Sequence, residues 1–84
     1  MKWTVIYRPD AADELAAIWI NAADRQAIAD AANSINRQLG GNPLSAGESR
    51  DGNSRVLWEG PLVVFFDVNP KDCTVLVWGI SHRQ

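Results

Sequence analysis

The side chains best suited to chemistry in this sequence lie in its second half, from residue 48 to the C-terminus. Glu48 and His82 can accept or donate protons, whereas Arg50, Arg55 and Arg83 can stabilise negative charge on a phosphate group. General acid–base catalysis next to an anionic group needs both abilities. Since these residues lie near the ends of predicted strands, we expect Arg50, Arg55 and His82 to gather at one surface of a sheet.

The same residues also have an ordinary structural interpretation. A histidine as close to the C-terminus as His82 is commonly a solvated tail residue. Arg50 and Arg55 have carboxylates nearby in the sequence that would hold them in surface ion pairs. Those carboxylates belong to Glu48, Asp51 and Glu59. The residue types alone leave both interpretations open.

Aromatic and sulfur side chains add a second group of candidates. Trp78 has the same strand parity as His82, which predicts that both lie on one face of the sheet. There Trp78 would stack on a nucleic-acid base or, in the simpler interpretation, pack in the core or against a partner. The four tryptophans of the chain are mostly expected in the core. Cys73, the single cysteine, is expected to be a small buried or edge residue and not a reactive thiol.

The composition describes a small folded protein and excludes several classes. Its 84 residues correspond to one domain, residues 1–84, with 46% hydrophobic and 21% charged residues. The formal net charge of −2 and a pI near 5.1 argue against a general nucleic-acid coat, for which a basic surface is usual. No apolar stretch approaches the ~20 residues of a membrane span, and no signal peptide is recognisable. We expect a cytoplasmic protein without a metal, a cofactor or a membrane partner.

The N-terminal half predicts one strand followed by two helices. Residues 2–8 are rich in β-branched and aromatic types and form the predicted strand. Residues 10–39 form a predicted helix pair, with Asp10 and Asn21 as the expected N-caps. The second helix repeats apolar residues at the spacing of one buried stripe, namely Ile28, Ala32, Ile35 and Leu39.

The C-terminal half of the sequence shows the residue patterns of turns and strands instead of helices. Residues 43–54 are polar and turn-rich, and short strands are predicted at 55–60, 62–68 and 73–80. The run at 62–68 is continuously apolar, which is typical of a strand covered on both faces. The order β-α-α-β-β-β predicts an α+β fold, an antiparallel sheet with a two-helix hairpin packed on one face. The other face of the sheet is left partly open, and a functional site is expected there.

With this arrangement, residues 48–83 resemble toxins of the RelE/ParE superfamily, the toxin halves of bacterial type II toxin–antitoxin pairs. The shared pattern is an arginine before a short strand (Arg55), a glycine turn (Gly60), a hydrophobic strand ending in D-x-N, and an apolar strand ending in His or Arg. The N-terminal half is similar too, with a strand before an A-x-x-E-L helix start at residues 11–15. The resemblance implies a cytoplasmic toxin blocked by a cognate antitoxin that wraps its groove or sheet. It leaves open a homodimer or a heterotetramer with the antitoxin.

The resemblance implies one of two activities. RelE-like members cut mRNA in the ribosomal A site, whereas ParE-like members poison DNA gyrase and are not nucleases. In a RelE-like nuclease the resemblance makes Arg55 the phosphate clamp and gives proton transfer to His82 or Glu48. The substrate-binding residues would then be Arg50, Arg83 and Trp78.

The sequence also departs from the nuclease pattern. The arginine that RelE-like nucleases usually carry at the start of the central strand is absent from residues 61–63, and the C-terminal tyrosine of several nucleases is missing. Lysine occurs only at Lys2 and Lys71. The His82-Arg83 ending is similar to the ParE and plasmid-stabilisation branch. Ribosome-dependent mRNA cleavage is the first hypothesis, and the alternatives are a gyrase poison and an attenuated member that only binds an antitoxin.

Overall fold

Two helices and five strands make up the computed structural model, which describes residues 2–83. In chain order the elements are β1 (Thr4–Tyr7), α1 (Pro9–Asn21), α2 (Arg25–Gly41), β2 (Glu48–Asp51), β3 (Ser54–Glu59), β4 (Leu62–Asn69) and β5 (Thr74–His82). The strands form a sheet in the order β1-β5-β4-β3-β2, and both helices pack on one of its faces. The predicted α+β fold is confirmed. Within residues 2–83, neither helix has the length and apolar character needed to cross a membrane.

The sheet has one strand more than the sequence predicts. β2 pairs with β3 inside the segment that the sequence describes as a turn. All four β2 residues are polar and exposed, so the strand shows no apolar alternation by which it could be recognised. The extra hairpin reverses the direction of the strands that follow, and β5 therefore runs parallel to β1. The sheet is mixed, whereas a purely antiparallel sheet was predicted.

The helices begin at residues other than those predicted. α1 starts at Pro9 and not at Asp10, because a proline's fixed φ and missing N–H suit the first helical position. α2 starts after Asp24, whose carboxylate accepts a hydrogen bond from a backbone N–H of the first turn. Asn21, the predicted cap of α2, instead donates its side-chain amide to a carbonyl in the last turn of α1. Each helix start lies within a few residues of the predicted one, so the predicted pair of helices is present.

The core lies between the helices and the side of the sheet that faces them. Ile28, Ile35 and Leu39 of the predicted stripe are buried, and Ala32 is half-buried. The helix-facing residues of β4 are all buried, and they are Leu62, Val64, Phe66 and Val68. No described helix covers the other side of β4, which contradicts the expectation of a strand covered on both faces.

We call the side of the sheet opposite the helices the open face. Residues paired directly across strands point to the same side, so the register assigns them to it. The open face includes Ile6, Glu48, Ser54, Val56, Trp58, Val63, Phe65, Asp67, Asn69, Thr74 and Leu76. Val56 and Val63 are buried there without any helix above them. Large neighbouring side chains on the sheet must therefore cover these two valines.

A β-bulge in β5 decides where the C-terminal residues point. The pairing of β5 with β4 skips Trp78, which shifts the strand's side-chain parity beyond that residue. Trp78 packs against Phe65 on the open face, with ring centroids 5.3 Å apart. His82 pairs with Leu62, a core residue, and therefore lies on the helix side. The prediction that Trp78 and His82 share a face is wrong because one bulge separates them.

Tyr7 makes the stability of the fold depend on pH in the alkaline range. Its hydroxyl donates a 2.7 Å hydrogen bond to the side chain of Asn36 in α2, and burial raises the pKa of Tyr7 above the ordinary 10.0. A raised pKa means that the contribution to stability is complete below about pH 10 and is lost as the pH rises through the folded-state value. We expect the free energy of unfolding to fall more steeply with rising pH above about pH 10 in the wild type than in Tyr7→Phe. Urea unfolding at several pH values measures both slopes, and equal slopes would contradict the prediction.

Candidate functional site

Arg55, the predicted phosphate clamp, is engaged with the backbone of its own chain. It pairs with Phe66, which places it on the helix side of β3. Its Nε donates to the carbonyl of Ala46 at 3.1 Å and its terminal nitrogen to the carbonyl of Gly47 at 3.4 Å. The half-buried guanidinium therefore fastens the loop between α2 and β2 to the sheet.

This arrangement makes Arg55 a residue whose removal destabilises the protein. We expect Arg55→Ala to lower the free energy of unfolding by about 2 kcal/mol, because two hydrogen bonds from a charged donor are lost. Arg50→Ala is the control, because Arg50 is exposed and its stacking on a tryptophan contributes only about 0.5 kcal/mol. Urea unfolding measures both changes. A loss of toxicity in Arg55→Ala at unchanged stability would instead support the clamp.

The C-terminal pair extends β5 along the start of β4. His82 is the last residue of β5, and the backbone N–H of Arg83 donates to the carbonyl of Pro61 at 2.6 Å. Both side chains are exposed. Glu59 lies in the same cross-strand row as His82, with Leu62 between them, and it accepts a hydrogen bond from α2. The carboxylate in the row of His82 is therefore Glu59, whereas the predicted partner Glu48 is on the open face.

The structure does not bring Arg50, Arg55 and His82 together. Arg55 and His82 share the helix side, but two strand spacings and four residues of strand separate their Cα atoms by ~16 Å. Arg50 lies on the other side of the sheet, over Trp58. The expectation of one shared surface was therefore wrong, because Arg55 and His82 occupy opposite ends of the strands. The ion pairs expected as the alternative are also absent from residues 2–83, where Arg8–Asp10 is the one salt bridge.

The open face does bring three of the candidate residues together, namely Glu48, Arg50 and Trp78. The guanidinium of Arg50 lies 5.4 Å from the ring centroid of Trp58. Glu48 shares this face through its pairing with Val56. Trp58 and Trp78 are 39% and 37% exposed, so the expectation of core tryptophans fails for both. The resulting surface is aromatic and carries both signs of charge.

A second exposed apolar surface lies between α1 and α2. It is a groove of about 510 Å³ with almost wholly apolar walls, formed by Leu15, Ala16, Trp19, Ile20, Ile28 and Ala32 among others. Trp19 is 44% and Ile20 57% exposed, although the sequence suggested a buried tryptophan. Arg25 holds the end of α1 in place, because it donates to the carbonyls of Trp19 and Ile20 and stacks on the indole ring. Alanines of both helices, Ala12, Ala16, Ala29 and Ala32, form part of its walls.

Neither this groove nor Asp67 was predicted from the sequence. The apolar positions of α1 span a wider arc than one core-facing stripe needs, and this was the available signal for the groove. Asp67 interrupts the continuous apolar run of β4, and a carboxylate in such a strand was the available signal there. Within residues 2–83, no three His, Cys, Asp or Glu side chains are grouped as a metal site would require.

Comparisons with known proteins identify the fold. Neither protein-family models nor curated protein sequences give a significant match to this chain. Solved structures do match over nearly its full length. A chain of the RelBE2 toxin–antitoxin complex of Mycobacterium tuberculosis has a TM-score of 0.81 at 16% identity, covering 99% of this chain and 93% of that one.

Two further structures agree. A chain of the chromosomal ParDE system of P. aeruginosa has a TM-score of 0.66 at 19% identity, covering 99% of this chain and 98% of that one. The isolated E. coli RelE toxin has a TM-score of 0.71 at 10% identity, with coverage of 98% and 85%. The chain has the fold of the RelE/ParE toxin superfamily, and the resemblance seen in the sequence is confirmed at this level. Identities this low do not separate RelE-like from ParE-like proteins.

Proposed function

We propose that this protein is the toxin of a type II toxin–antitoxin pair and is neutralised by a cognate antitoxin. The full-length likeness to chains of RelBE2 and ParDE is the observation that carries the proposal. The exposed groove between α1 and α2 supports it, because a large unpartnered apolar surface on a small protein marks a contact with another protein. An amphipathic helix of the antitoxin in this groove would cover Trp19 and Ile20.

A growth assay tests this proposal. The neighbouring reading frame of a toxin gene is expected to encode a short protein with a DNA-binding N-terminus and a disordered tail. Expression of the present chain alone should stop growth, and co-expression of that neighbour should restore it. Unimpaired growth without the neighbour would contradict toxicity and would support the attenuated, antitoxin-binding alternative.

For the mode of action, we propose inhibition by contact with a target protein, as in ParE-like poisoning of DNA gyrase. The separation of Arg55 from His82 supports this mode, because concerted proton transfer and charge stabilisation need groups within hydrogen-bond reach of one phosphate. The net charge of −2 supports it as well, since affinity for ribosomal RNA depends on phosphate contacts from basic residues. Purified protein should inhibit supercoiling by gyrase and leave ribosome-bound mRNA intact.

One observation favours the nuclease as a second candidate. Glu48 and Arg50 share the open face with two exposed tryptophans, so a base, a cation and stacking surfaces occur on one side of the sheet. Such a site would use Arg50 and not Arg55. Cleavage of A-site mRNA in a purified translation system, abolished by Glu48→Gln and by Arg50→Ala, would establish the nuclease and overturn inhibition by contact.

A further inference from the structure

A polar pocket lies at one end of the open face, and neither Glu48 nor Arg50 lines it. Its volume is about 470 Å³, and Asp67 is the one charged residue in its lining. The register explains its composition, because Ile6, Leu76 and Asp67 form one row across β1, β5 and β4. Thr74 stands in the next row of β5 and also lines the pocket. Four segments of chain thus converge on one carboxylate, the fourth being the turn at Asn53.

The carboxylate of Asp67 is held in place and is still open to a ligand. The Ser54 hydroxyl donates to Oδ1 at 2.6 Å, and the Trp78 indole N–H donates to the same oxygen at 3.0 Å. No residue of the described range 2–83 donates to Oδ2, and none of its Lys or Arg side chains comes within ion-pair distance of Asp67. Each carboxylate oxygen can accept about two hydrogen bonds, so Oδ2 keeps its capacity for an external donor.

The walls of the pocket select among cations. Ile6 and Leu76 supply apolar surface, while Thr74 and Asn53 add neutral oxygen acceptors. A guanidinium fits this combination, because it is planar, weakly hydrated and carries five N–H donors. An ammonium is compact and strongly hydrated, so burial against the apolar walls disfavours it.

We propose that this pocket binds an arginine side chain of the antitoxin. The identity of the partner rests on the function proposed above, whereas the guanidinium specificity rests on the pocket itself. The acidic balance of the chain, 10 Asp and Glu against 8 Lys and Arg, favours a basic partner segment. Arg50, a cation of the open face, is stacked on the ring of Trp58 and not paired with Asp67. An antitoxin that reaches both this pocket and the helix groove wraps the toxin from both sides of the sheet.

The first experiment titrates the isolated protein with methylguanidinium chloride and follows the NMR signal of the Trp78 indole N–H, which contacts Asp67 directly. We expect a saturable shift that is lost in Asp67→Asn, a variant whose amide oxygen can still accept from Ser54 and Trp78. Asp51→Asn is the matched control, because it removes the same charge from the same face outside the pocket. Methylammonium should bind more weakly and methylurea should cause no shift. An equal response in Asp67→Asn, or to methylurea, would overturn the pocket's specificity.

The second experiment measures the affinity of the co-expressed antitoxin for the same variants. Asp67→Asn should weaken binding by about 10-fold or more and Asp51→Asn by less than about twofold, because only Asp67 pairs with the buried cation. Unchanged affinity in Asp67→Asn overturns the assignment to the antitoxin, even if methylguanidinium binds. If the neighbouring protein does not bind at all, the proposed function fails, and a positive methylguanidinium titration still supports the guanidinium site.

Discussion

Gly47→Ala is expected to destabilise this protein by at least about 3 kcal/mol, a large fraction of the stability of so small a domain. Gly47 has a φ of +68°, a conformation that costs an alanine about 1 kcal/mol. A Cβ atom at this position would also overlap the carbonyl group of Val56 in β3. Relief of that overlap requires the loop to move away from the sheet, and this movement breaks the hydrogen bonds from Arg55 to Ala46 and Gly47.

The chain provides a matched control for this prediction. Gly52 also has a positive φ, +58°, but a Cβ there would meet no atom within 4 Å. Gly52→Ala should therefore cost only the backbone strain, about 1 kcal/mol. Urea unfolding of both variants separates the cost of the overlap with Val56 from the cost of backbone strain. Similar losses of unfolding free energy in the two variants would show that the close packing at Gly47 is unimportant.

Gly47 and Arg55 together explain why the predicted phosphate clamp is a structural residue. The loop between α2 and β2 has few apolar residues to hold it, with Pro43 and Ala46 as its buried members. Arg55 supplies the missing attachment by donating to two backbone carbonyls, which are hydrogen-bond acceptors that no sequence pattern displays. An arginine before a strand gives the same signal in a sequence whether it binds a phosphate or its own backbone.

The elements could be predicted because their signals are local. The stripe of Ile28, Ile35 and Leu39 has the helical period, and the apolar runs of β4 and β5 have strand length. β2 could not be predicted, because a polar edge strand is held by backbone pairing and not by its side chains. Its omission also led to the prediction of an antiparallel sheet, since the added hairpin reverses the chain and leaves β5 parallel to β1.

The candidate site was less predictable, since it depends on register. Because Trp78 is unpaired, His82 lies on the side of the sheet opposite to the one that strand parity predicts. Neither the periodicity of the sequence nor a residue type indicates such a bulge. Asp67 is held in position by hydrogen bonds from Ser54 and Trp78. These two residues are distant from Asp67 in the sequence and become its neighbours only when the strands pair. Pairwise contacts between strands therefore decide which polar residues can act together.

On the proposed function, Ala16→Glu is expected to separate toxicity from neutralisation by the antitoxin. Ala16 is exposed on α1 and lines the groove between the two helices, whereas Ala17, also exposed, does not line it. Glutamate is a good helix former, so neither Ala16→Glu nor Ala17→Glu should unfold the protein. A carboxylate at position 16 would have to lose its hydration against apolar walls when an antitoxin helix enters, which is costly for an unpaired charge. The antitoxin's affinity should fall by ~100-fold or more, about 2.7 kcal/mol, in Ala16→Glu.

The consequence for cells follows from the separation of the two surfaces. Both substitutions add one exposed charge to α1 and leave the open face unchanged, so on the proposed function both variants should still stop growth when expressed alone. Co-expressed antitoxin should rescue cells that carry Ala17→Glu and fail to rescue those that carry Ala16→Glu. Calorimetry with the purified antitoxin measures the affinities. Full rescue of Ala16→Glu at wild-type affinity would show that the antitoxin binds elsewhere, because no helix could enter the groove without burying the added charge.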